Sequence, residues 1–145
     1  MALSTSRADA PVLLHPGFIG AGAALLIAAF VTDIMYCRTS LMQWANFSAW
    51  LIVFGLVLAL VAAILLAIDF LTHRAGRLNW FHFILVAVAA LLSLLNAFVH
   101  SRDAWTSVVP EGIVLSGIVT ILLLIASFRG WSVTSVRLPM TGDYR

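Results

Sequence analysis

Three ionisable side chains interrupt the apolar runs of this chain, Asp33, Asp69 and His82, and two more, His15 and His100, stand at the ends of such runs. Carboxylates and imidazoles exchange protons, hold metals and pair with one another, so any chemistry would be expected to centre on them. Next to hydrocarbon an ionised aspartate costs at least ~2.5 kcal/mol, so each needs a partner, a proton or a function. Both aspartates also fall in the last turns of an expected helix, where the backbone dipole opposes negative charge. Asp69 has Arg74, Arg77 or a histidine as prospective partners, and Asp33 has Arg38, Arg102 or His100. His15 and His82 could together ligate a haem b, or a metal with Asp69 as third ligand, because facing helices present imidazoles in this way. The structural alternative makes His15 a helix N-cap and gives His82 a hydrogen bond to Asp69, with the aspartates as helix-end ion pairs. His73 reads as a solvated loop residue. No nucleophile–base pair, phosphate loop or hydrolase motif accompanies these groups, so the chain is not expected to be an enzyme.

The elements that would position these residues are four apolar runs, expected as helices over about 16–36, 47–70, 80–100 and 111–128. A helix rises about 1.5 Å per residue and a bilayer core is about 30 Å thick, so about 17–25 apolar residues suffice to cross it. At 63% hydrophobic and 10% charged, the 145 residues are far from a soluble composition. They divide into a tail over 1–14, one helical domain over 15–128 and a second tail over 129–145. The first run has no cleavable-signal pattern ahead of it and is expected to remain as an anchor. A net charge of +2 argues against a nucleic-acid partner, and the single Cys37 excludes an intramolecular disulfide or a multi-cysteine metal site.

Orientation follows from the basic residues, all of which are arginine. With four spans, both tails and the loop between the second and third helices share one side, which carries Arg7, Arg74, Arg77, Arg129, Arg137 and Arg145. The other side carries Arg38 and Arg102. Basic loops stay in the cytoplasm, so both termini are expected inside, with Trp80 and Trp131 in one interfacial belt and Trp44 and Trp105 in the other. His15, Asp69 and His82 then form an inner layer, and Asp33, Arg38, His100 and Arg102, beside Asp103, an outer one.

Local signals mark the boundaries. His15-Pro16 reads as an N-cap followed by Pro at the first helical position, Asn79 as the cap of the third helix, and Pro110-Glu111 as the opening of the fourth. Gly130 closes the fourth helix, and the segment after it has no strong periodicity. Each helix carries one stripe of small and polar residues suited to helix–helix contact: His15, Gly22, Ala29 and Asp33; Ser48, Gly55, Ala62 and Asp69; His82, Ser93, Asn96 and His100; Gly112, Ser116 and Thr120. The expected fold is an all-α, integral membrane four-helix bundle, up-down-up-down.

Several segments together resemble the domain of unknown function 2231 family of small bacterial four-helix membrane proteins. They are His15-Pro16, Val31-Thr32-Asp33, Trp50-Leu51-Ile52 with Gly55-Leu56-Val57, Ile68-Asp69-Phe70-Leu71, Asn79-Trp80-Phe81-His82 and Gly112-Ile113-Val114-Leu115-Ser116. The family's second His-Pro is replaced here by Val12-Leu13, its Pro-rich start to the first helix by Ala21-Gly22, and of its tail motif Gly130-Trp131 is retained without the histidine. The resemblance implies a bacterial inner-membrane location and a setting near redox proteins. The leading expectation is a non-enzymatic accessory or anchoring subunit without a cofactor, contacting the lipid bilayer and either other membrane or redox subunits or copies of itself. The alternatives are a small haem b or metal electron-transfer protein using His15 and His82, and a proton or small-solute pathway along the Asp/His stripe.

Overall fold

A computed structural model describes residues 12–102 and 107–136. Arg7, Asp103, Trp105, Arg137 and Arg145, which entered the orientation and layer arguments, lie outside the described residues, as does most of each tail.

Four helices build the molecule: α1 (His15–Thr39), α2 (Met42–Leu71), α3 (Trp80–His100) and α4 (Glu111–Ser127). The first three are long and apolar enough to cross a membrane, and α4, at 17 residues, spans about 26 Å. The fold is an all-helical membrane bundle. In the bundle α1 packs on α2 and α4, α3 packs on the same two, and α1 and α3 face each other across the diagonal.

Local chemistry sets most of the boundaries. Between α1 and α2 the chain reverses at Ser40, in the left-handed region at φ 55°, whose N–H bonds the Tyr36 carbonyl at 2.8 Å. Met42 therefore already opens α2, several residues before its continuous apolar run begins. Asn79 caps α3, its side-chain oxygen accepting the His82 N–H at 3.3 Å. Glu111 sits in the first turn of α4, where its charge suits the helix N-terminus. The opening of α1 differs from expectation. Leu14 is the N-cap and makes no side-chain cap bond, so His15 is already helical and its ring is free for another partner.

The core is narrow and built on close approach. Ala23, Leu26, Ala29, Ile52, Ala89, Val119 and Leu123 form its centre. At the α1–α2 crossing a Cβ on Gly22 would lie 3.0 Å from the Gly55 carbonyl oxygen, and one on Gly55 would lie 2.8 Å from Leu26. Only glycines let these backbones meet.

Strands β1 (Ala75–Leu78) and β2 (Thr134–Val136) form a small antiparallel pair across one end of the bundle, with Ala75 opposite Val136 and Leu78 opposite Thr134. The Asn79 N–H bonds the Val133 carbonyl at 2.8 Å, and Val133 is buried against Ile19 and Ala62. Residues 131–136, part of the segment that shows no periodicity, thus form a lid folded over this strand end. The opposite end, bounded by the α1–α2 and α3–α4 connections, is the loop end.

Candidate functional site

Eighteen residues separate His15 from Asp33 on α1, and eighteen separate His82 from His100 on α3. That is about five turns, so the members of each pair lie on one helix face about 27 Å apart. All four side chains are buried, and so is Asp69. One end of the bundle therefore holds a carboxylate and one imidazole, and the other a carboxylate and two imidazoles, inside a membrane-spanning fold.

At the loop end the polar groups close a ring that engages every helix. Asp33 of α1 lies 3.0 Å from His100 Nε2 through Oδ1 and accepts the Ser116 hydroxyl of α4 at 2.5 Å through Oδ2. Asn96 of α3 donates its amide to Ser116 Oγ at 2.7 Å. His100 Nδ1 stands 3.1 Å from both the Asn96 carbonyl oxygen and its side-chain oxygen. Two acceptors facing one nitrogen require that Nδ1 carry a hydrogen. Ser48 of α2 completes the set, donating to the Ala29 carbonyl at 3.3 Å and lying 3.1 Å from His100 Nε2. With Nδ1 protonated, one further hydrogen lies between Asp33 and Nε2. In either position the pair is neutral overall, which is how two ionisable groups become tolerable away from water. Gly112 makes room for the ring, since a Cβ there would sit 2.9 Å from His100 Cε1.

Arginines take no part in this cluster. Arg102, a prospective partner of Asp33, pairs instead with Glu111 on the exposed surface. Among the described residues Arg38 forms no ion pair, and it is exposed at the end of α1. The physical reason is depth. Asp33 is two turns inside the helix end and completely enclosed, beyond reach of side chains that must keep a charged head in water.

At the strand end His15 Nδ1 and Asp69 Oδ2 are 2.9 Å apart. Here too the partner of the carboxylate is a histidine, while Arg74 and Arg77 are exposed around β1. His82 does not bond to Asp69, contrary to one reading of the sequence; its main-chain N–H goes to Asn79, and its Nε2 is buried without a hydrogen-bond partner. His15 Nε2 is buried and unpartnered as well. Among the described residues no three His, Cys, Asp or Glu side chains stand close enough to hold one metal ion, so Asp69 does not serve as a third ligand beside the two histidines. Of the glycines that follow His15, Gly17 has no neighbour within 4 Å of an added Cβ, whereas the next two are covered. The Trp131 indole of the lid covers Gly20, where a Cβ would lie 2.8 Å from the ring, and α2 covers Gly22.

Ser48, Asn96 and Ser116 belong to the loop-end ring although a search for charged and imidazole groups passes over them. Each lies in the small and polar stripe of its own helix, and that stripe is the signal that could have found them.

This arrangement, with polar stripes inward and apolar residues over the whole flank, agrees with a comparison against known families. Residues 11–137 match the family described as "Predicted membrane protein (DUF2231)". The chain belongs to that family. No curated protein and no solved structure matches it.

Proposed function

We propose that this protein performs no catalysis and serves as an accessory or anchoring subunit of a larger membrane assembly in the bacterial inner membrane, with both termini in the cytoplasm. The observation that carries this reading is the closure of the loop-end ring: Asp33, Ser48, Asn96, His100 and Ser116 bond to one another and join all four helices. Groups so engaged hold a bundle together and leave nothing directed at a substrate. A proton pathway gains little support, because Leu26, Ile52, Ala89, Val119 and Leu123 line the interior between the two ends with apolar atoms. The orientation rests on the arginine count of the short loops.

The docking face in this reading is α2. Only 17% of its most apolar window is covered by the rest of the chain, against 33% for α1, and it presents Trp50, Phe54, Val57, Leu60 and Ile64 outward. Photo-crosslinking residues at Phe54, Leu60 and Ile64, compared with Leu91 and Leu95 on the exposed face of α3, test it in intact cells. Discrete protein adducts from α2 positions alone are expected. Adducts to lipid only, from both helices equally, would refute the docking role. A Soret band in protein purified from haem-replete cells, lost in His15→Ala and His82→Ala, would replace this reading by the haem one.

A further inference from the structure

Between α2 and α3 the flank of the bundle is cleft. Of the four adjacent pairs these two helices pack against each other least, and alanines supply the reason. Ala59, Ala62 and Ala63 of α2, with Ala87 and Ala90 of α3, line a cavity of about 90 Å³ that their short side chains leave unfilled. Every side chain lining it is apolar, so water finds no partner there. Ala63 is exposed, which opens the cavity toward the lipid flank. Apolar cavities of this order stay dry and take up hydrocarbon, and in a bilayer the hydrocarbon at hand is a lipid chain.

Charge at the end of the cleft selects the lipid. The lining reaches Leu66 on α2 and Phe83 on α3, within about 8 Å of the helix ends at Leu71 and Trp80. The connection between those ends is β1, so Arg74 and Arg77 stand at the strand end of the cleft, and Arg129 follows α4 at the same end of the bundle. All three arginines are exposed, and among the described residues none has a carboxylate partner. Asp69, the one acidic side chain described at this end, is buried and already bonded to His15. At the loop end, by contrast, Arg102 is paired with Glu111. Guanidinium groups take phosphate oxygens in bidentate pairs, so an apolar slot with a cationic mouth matches a lipid with an anionic head.

We propose that the α2–α3 cleft binds one acyl chain of an anionic phospholipid, whose phosphate rests on Arg74 and Arg77 with Arg129 adding to the positive field. The chain fills the space that the alanines leave and couples α2 to α3 where their own packing is weakest. The site lies on a different side of α2 from Phe54, Leu60 and Ile64, and it is independent of the accessory-subunit reading, which stands or falls on the α2 crosslinks.

The test uses the full chain, delipidated in detergent and titrated with phosphatidylglycerol or with zwitterionic phosphatidylcholine of the same chains, read by native mass spectrometry. One phosphatidylglycerol is expected to bind, about tenfold more tightly than phosphatidylcholine. Arg74→Gln with Arg77→Gln, both at exposed positions, should remove that preference, and Arg38→Gln at the loop end should leave it unchanged. Ala87→Leu fills the cleft and should weaken both lipids about tenfold. Glycerol 3-phosphate, an anionic head without chains, should not displace the lipid. Phosphatidylglycerol carrying a photoreactive group in one chain should label residues 59–66 and 83–90 of the wild type ahead of 50–57, a readout that does not depend on the variants folding. Equal affinity for the two lipids, a preference that survives the double arginine substitution or is lost with Arg38, undiminished binding in Ala87→Leu, displacement by glycerol 3-phosphate, or labelling spread evenly along the flank would each overturn the proposal.

Discussion

Replacing Asp33 separates hydrogen bonding from charge at the loop end. In Asp33→Ala the Ser116 hydroxyl loses its acceptor at 2.5 Å and the Asp33–His100 bond at 3.0 Å disappears. His100 Nε2 keeps Ser48 Oγ at 3.1 Å as a partial substitute, whereas the Ser116 hydrogen has nowhere to go. Interhelical hydrogen bonds in membranes contribute up to ~1.7 kcal/mol each, and a stranded buried donor costs about 1–3 kcal/mol. With one bond lost outright and one partly replaced, Asp33→Ala should destabilise the bundle by about 2–3 kcal/mol. Asp33→Asn has a satisfied solution: its amide donates to Nε2 of the neutral Nδ1–H tautomer, and its oxygen accepts from Ser116. It should therefore cost under about 1 kcal/mol, because the ring stays closed. Reversible unfolding in mixed micelles with increasing dodecyl sulfate, followed by circular dichroism, measures both variants against wild type. An Asn variant as unstable as the Ala variant would show that the site needs a charge, and an Ala variant within about 0.5 kcal/mol of wild type would show that the ring holds nothing together; either result refutes the reasoning.

Further outcomes follow from other contacts. Gly22→Ala places a Cβ 3.0 Å from a backbone oxygen of α2 that cannot turn aside, and should cost about 1–3 kcal/mol in the same unfolding assay. Gly20→Val meets the Trp131 ring at 2.8 Å from its first carbon and should lift the lid, so that trypsin cuts after Arg129 about tenfold faster, equivalent to about 1.4 kcal/mol of local opening. Asp69→Ala should destabilise the bundle by roughly 1–3 kcal/mol, and Asp69→Asn by less if the bond to His15 is what matters. Cys37 is the sole thiol and is exposed at the loop end, so an impermeant maleimide should label it from outside spheroplasts; labelling from the cytoplasmic side alone would reverse the orientation argued from the arginines.

The sequence by itself determined that this is a membrane bundle, because length and hydropathy act locally: a run of about twenty apolar residues reads as a membrane span regardless of its neighbours. It also determined the inward face of each helix, since Asp33 falls five turns after His15 and Asn96 and His100 lie one turn apart on one stripe. Partners across helices were a different matter. That Asp33 meets Ser116 and Asp69 meets His15, rather than arginines nearer in sequence, depends on the register and depth of packed helices, and no periodicity along one chain records these. The lid over the strand end was hidden for the same reason. Residues 134–136 are too few and too polar to announce a strand, and they become one because β1 offers unpaired backbone groups and Gly20 leaves space for Trp131. Local chemistry chose the elements and their faces, and close packing at Gly22 and Gly55 decided which polar groups could touch.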